Sequence, residues 1–70
     1  MSDEDAQVTA IVSKLQEIAI YSGDGFRQWV YPRLPKSYAV GADVYRAVRE
    51  CVSWGMTTNA AAAKLIKEHS

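Results

Sequence analysis

Two prolines, Pro32 and Pro35, stand near the middle of a chain of 70 residues. A proline fixes its own backbone angle, has no N–H to donate and disfavours helix in the residue before it. No helix can run through this point, and Tyr31 and Leu34 are pushed toward extended geometry. The fold must be assembled from elements on either side, with RLPK as an irregular connector. The surrounding stretch, Phe26 to Tyr38 (FRQWVYPRLPKSY), is also the least ordinary in composition. It interleaves Phe26, Trp29, Tyr31 and Tyr38 with Arg27, Arg33 and Lys36, whereas the sequence on both sides reads as amphipathic helix.

The segment before the prolines contains the clearest periodicity. Val8, Ile11, Leu15 and Ile18 succeed one another at helical spacing, with Val12 and Ala19 widening the stripe and Ser13, Lys14, Gln16 and Glu17 staying polar. Ser2 with Asp5 makes a short capping box, and Asp3, Glu4 and Asp5 suit the positive end of a helix. Tyr21, Ser22 and Gly23 end it, with Gly23 expected in the left-handed position past the helix C-terminus. SGDG is then a turn, and Asp24 is placed to cap the next segment, FRQWVY. That segment is read as a short helix rather than a strand, because the chain offers no second strand to pair with it.

After the prolines a second long helix is expected over 43–54, capped by Ser37 or Asp43. Val44, Ala47, Val48, Cys51 and Val52 form its apolar stripe, Arg46, Arg49, Glu50 and Ser53 its wet face, with Arg46 and Glu50 at ion-pair spacing. Gly55 stops this helix. Thr57 or Thr58 caps a last one, in which Ala60 to Ala63 favour helix, Leu65 and Ile66 supply bulk, Lys64, Lys67 and Glu68 are solvated, and His69 lies at a fraying end. The four alanines suit a close helix–helix contact. The expected fold is all-α: a single domain over 1–70, with three helices, a helical hairpin in the C-terminal half and a short helical or irregular aromatic–proline insert after the first helix. Val8, Ile11, Leu15, Val48 and Leu65 form its framework.

A chain this short buries only about 60% of the surface that its unfolded form exposes, so its core is marginal. Cys51 is the only cysteine, and an intrachain disulfide is excluded. Cys51 and His69 are the only soft ligands and lack zinc-site spacing, so neither a metal nor another cofactor is expected. Tight packing and self-association remain as sources of stability, and a homodimer is the expected state. No apolar run approaches the ~20 residues that span a bilayer, and the acidic start MSDEDAQ is unlike a signal peptide; a cytoplasmic protein with no membrane partner is expected. The formal net charge is +0, but five acids face one base in residues 1–26 and seven bases face three acids in residues 27–70. Such polarity steers partners or aligns two copies.

Catalysis finds no footing. One His at the end of the chain and one Cys on an apolar face make no nucleophile–base pair, the clustered acids are accounted for by the helix dipole, and SGDG lacks the Lys and Ser/Thr of a phosphate loop. The run DVYRAVRECVSWGMTTNAAAAKLIKEHS resembles the first two helices of homeodomain-like or resolvase-like helix-turn-helix domains: a helix, a Gly-containing turn, a Thr cap and an Ala-Ala pair before a Leu. That resemblance implies DNA binding by a transcriptional regulator. In such domains a third helix enters the major groove, and here the sequence departs from the pattern, since it contains no third helix beyond these two. Were 58–69 the reader, Thr58, Asn59, Lys64 and Lys67 would face the groove. Aromatic–basic interleaving around Phe26–Tyr38 also suits single-stranded nucleic acid, yet Trp, Tyr and Arg are equally the residues that dominate protein interfaces. The sequence is therefore read as a non-catalytic accessory or regulatory protein, of the kind that phages and plasmids use as regulators or inhibitors, which binds a larger protein. Arg27, Trp29, Tyr31, Arg33, Lys36 and Tyr38 are the expected contact residues, with Phe26 and Trp29 turned inward.

Overall fold

Helix α1 (Asp3–Tyr21) is the element on which the others pack. In the computed structural model, which describes residues 2–33 and 36–70, it is followed by α2 (Asp24–Val30), α3 (Ala42–Ser53) and α4 (Thr58–His69). The described residues include no strand. The all-α expectation is met, with four helices among the described residues where three and an insert were expected. The aromatic segment contributes a helix of its own, α2, which packs on α1 and α4. Helix α1 touches all three others, and α4 lies between α2 and α3. The shortest extent of the molecule is 17 Å, the depth of two helix layers about 8–10 Å apart.

The periodicity of α1 explains its central position. Val8, Ile11, Val12, Leu15 and Ala19 are buried along one side, and Ile18 packs at its edge. They meet Phe26 and Val30 from α2, Val44, Val48 and Cys51 from α3, and Ala61, Ala62 and Leu65 from α4 in one apolar cluster. Full burial of a Val, Leu, Ile or Phe side chain is worth about 1.5–3 kcal/mol, and this cluster is the main stabilising term in so short a chain. Among the described residues, none that is buried carries a charge or belongs to the polar types. Two of the four alanines, Ala61 and Ala62, are buried, while Ala60 and Ala63 are exposed.

Capping agrees with the sequence in two places and departs from it in three. The Ser2 hydroxyl accepts the Asp5 N–H at 3.2 Å, and the Thr57 hydroxyl accepts the Ala60 N–H at 3.2 Å. Gly23 is not left-handed: its φ is −65°, and it is the N-cap of α2, with Asp24 as the first helical residue rather than the cap. Helix α1 ends instead on extended Ser22, whose N–H returns to the Ala19 carbonyl and whose hydroxyl donates to that of Ile18. The N-cap of α3 is Gly41, neither Ser37 nor Asp43, and it gives no side-chain bond. The left-handed glycine is Gly55, with φ +74°, at the end of α3. Arg46 and Glu50 form no ion pair; among the described residues the pairs are Arg27–Asp24 and Lys64–Glu68, so Lys64 and Glu68 are not independently solvated.

Candidate functional site

The site is built on the connection between α2 and α3. At Tyr31 the chain leaves helical geometry (φ −122°, ψ 76°), as the proline after it requires. Ten residues later the Gly41 N–H donates to the Val30 carbonyl at 3.0 Å, closing the base of a loop. A Cβ on Gly41 would lie 3.2 Å from the Pro32 ring, so the closure is tight. Within the loop the Lys36 N–H donates to the Arg33 carbonyl at 3.0 Å, and the Ala39 N–H to the Ser37 hydroxyl at 3.0 Å. The expectation of extended backbone at Leu34 lies outside the described residues.

These contacts divide the six expected binding residues. Arg33, Lys36 and Tyr38 are exposed, Tyr38 at 71%. Tyr31 is not available to a partner: it is 4% exposed and belongs to the core. Its ring stands edge-on to that of Tyr38, centroids 5.7 Å apart and planes at 82°. Burial pushes the Tyr31 phenol above its ordinary pKa, and the Gln16 side chain of α1 close to it draws it partly back. The buried tyrosine therefore acts as a prop for the exposed one. An edge-to-face pair of this kind adds about 0.5–1.5 kcal/mol beyond the area it buries.

Arg27 and Trp29 are directed elsewhere. Arg27 is half-buried and bonds to Asp24 one turn back on α2. Trp29 is also half-buried and packs at the edge of the core, 5.9 Å from Phe26, which is 1% exposed. Its other neighbour is His69, whose ring lies parallel to the indole, at 5° and 3.7 Å. His69 is thus an ordered link between α4 and α2 rather than a frayed terminal side chain. A Cβ at Gly25 would lie 3.4 Å from the His69 carbonyl oxygen, which shows how closely α2 approaches the end of α4. The inward placement expected for Phe26 is complete and that of Trp29 partial.

Two other features bear on recognition. A shallow depression of about 270 Å³ runs beside the loop, lined by Pro32, Arg33, Ser37 and the residues leading into α3. Trp54, 60% exposed between α3 and α4, lies under the Lys64 ammonium, 5.2 Å from the ring centroid. Lys64 is therefore committed twice, to Trp54 and to Glu68, and Thr58 is half-buried. Asn59 and Lys67 are the exposed members of the set that a DNA-reading α4 would present. Among the described residues no group of three metal-ligating side chains converges, and no helix is long and apolar enough to cross a membrane. Cys51 is buried on α3, and that burial raises its thiol pKa.

Sequence reasoning marked the loop through its prolines and rings. It missed His69 and Trp54, because contacts made through the fold leave no local signal in the chain. Comparison of the chain with protein-family models, with curated proteins and with solved structures gives no match in any of the three.

Proposed function

We propose that this chain is a small non-catalytic accessory or regulatory protein that docks on a larger protein and modulates it, with Arg33, Lys36 and Tyr38 as the contact residues. The observation that carries the reading is Tyr38, a ring 71% exposed yet held edge-on against a buried tyrosine. An exposed aromatic with few conformations left to lose is what an interface anchor requires, since ordering a side chain on binding costs about 0.5–1.5 kcal/mol. Arg33 and Lys36 precede it on the same loop, are exposed, and form no ion pair among the described residues. The test is an affinity capture from the organism of origin with the wild-type chain and with Arg33→Ala/Tyr38→Ala. The variant should keep the helical circular dichroism and lose the partner. Retention of the partner by a folded variant defeats the reading.

The alternative reading is a DNA-binding regulator of helix-turn-helix type. Its support is the α3–α4 hairpin, with left-handed Gly55 in the turn and Thr57 as the cap. Strong DNA binding draws on about six to ten phosphate contacts, and the engagement of Lys64 with Glu68 and Trp54 thins an already short basic set. A gel shift that is strong at low salt and collapses steeply as salt rises would favour this alternative over the protein-docking reading.

A further inference from the structure

Among the described residues, one acid of residues 1–26 pairs with a base of residues 27–70, Asp24 with Arg27, and the remaining charges of the two parts form no ion pair with one another. Asp24–Arg27 and Lys64–Glu68 are both local pairs, one turn apart on a single helix. Asp3, Glu4 and Asp5 are exposed on the first turn of α1 and form no ion pair with any described residue, and Arg33 and Lys36 are exposed on the loop in the same condition. The foot of the loop, Tyr31, is buried against the core cluster that α1 centres, with Gln16 of α1 beside its phenol. About eleven residues of helix separate Asp5 from Gln16, a rise of about 16 Å. That exceeds the ~8 Å Debye length at physiological ionic strength, so the two patches are screened from each other inside one copy. Apolar surface accompanies the basic patch: Tyr38 is 71% exposed, and Ile20, one turn beyond Gln16 on the same side of α1, is 56% exposed.

We infer that two copies associate about a twofold axis, the acidic first turn of α1 in each docking on the Arg33–Lys36–Tyr38 loop of the other. An isologous arrangement of this kind makes the acid–base contact twice and closes on itself. It brings together charges that the fold holds apart. It also covers the loop, so a larger partner that uses Tyr38 must compete with the second copy. The inference concerns the chain alone and is independent of the identity of any partner.

Sedimentation of the purified full chain provides the test, at about 0.01 M and about 1 M salt, where the Debye length is about 30 Å and about 3 Å. The expected mass is twice the 7.8 kDa of one chain in the first condition and a single chain in the second. Arg33→Glu/Lys36→Glu, which lies outside every helix, should be monomeric in both, as should Asp3→Lys/Glu4→Lys/Asp5→Lys. An equimolar mixture of the two variants should recover the double mass, because the exchanged charges match at both contacts. A monomeric wild type at low salt overturns the inference. So does a dimer indifferent to the loop variant, or a mixture of helical variants that stays monomeric.

Discussion

Gly23 and Gly55 both end or begin a helix, yet they differ in the sign of φ, −65° against +74°. Neither has another atom within 4 Å of an added Cβ, so substitution there is decided by the backbone rather than by packing. Gly55→Ala should destabilise the protein by about 1 kcal/mol, because an L-residue resists the left-handed region. Gly23→Ser should stabilise it by about 0.5 kcal/mol, since it restricts the unfolded chain and supplies the hydroxyl cap that α2 lacks. Urea denaturation of both variants checks the opposite signs, and equal signs would mean that the two glycines are not distinguished as described. Leu15, 0% exposed at the centre of the cluster, marks the other extreme. Its truncation to Ala should cost about 2–5 kcal/mol, enough to unfold much of the population in so small a domain.

Among the elements, α4 depends most visibly on its ends. Thr57 caps its N-terminus, and Thr57→Ala should cost about 1 kcal/mol, while Thr58→Ala, which removes no cap, should cost much less. At the other end the Trp29–His69 stack ties α4 to α2. With seven residues, α2 is too short to persist without its neighbours. His69→Ala should therefore speed amide hydrogen exchange in Phe26–Val30 more than in Val8–Leu15, and uniform acceleration would count against the tie. The stripes of α1 and α3 were legible in the sequence because burial on one side of a helix repeats every three or four residues: Val8, Ile11, Leu15, Val44, Val48 and Cys51 are all buried. So were the caps at Ser2 and Thr57, which depend on one nearby N–H. Tyr31 and His69 were not legible, because each is placed by neighbours from other parts of the chain, Tyr31 by the core cluster and His69 by Trp29. The segment stood out in the sequence, while its division into exposed Arg33, Lys36 and Tyr38, half-buried Trp29 and buried Tyr31 required the fold.

At the scale of the whole molecule, two buried acids of the weak kind set the response to alkali. Burial raises the pKa of Cys51 and of Tyr31 from ordinary values of 9.0 and 10.0. The folded state therefore favours their protonated forms. The stability this provides is fully present below the ordinary values and is lost as pH rises from them through the folded ones. The urea midpoint should stay level through neutrality and fall above about pH 9, and Cys51 should react with a thiol reagent far more slowly in the native chain than in denaturant. A midpoint that holds steady to about pH 11 would contradict the burial of both groups. A different consequence belongs to the hydrogen bond from Gly41 to the Val30 carbonyl. By tying the chain at the foot of the loop, it limits what a change above that knot costs below it, and doubling the loop's length would cost only about 0.6 kcal/mol in closure entropy. Exposed Arg33 and Lys36 can thus be exchanged, or the loop lengthened, while the helices stay as they are, provided that Tyr38 keeps its edge-on contact with Tyr31 and Val40 its place against the core. On the docking reading proposed above, a lineage carrying this scaffold can change its contact residues without having to relearn how to fold.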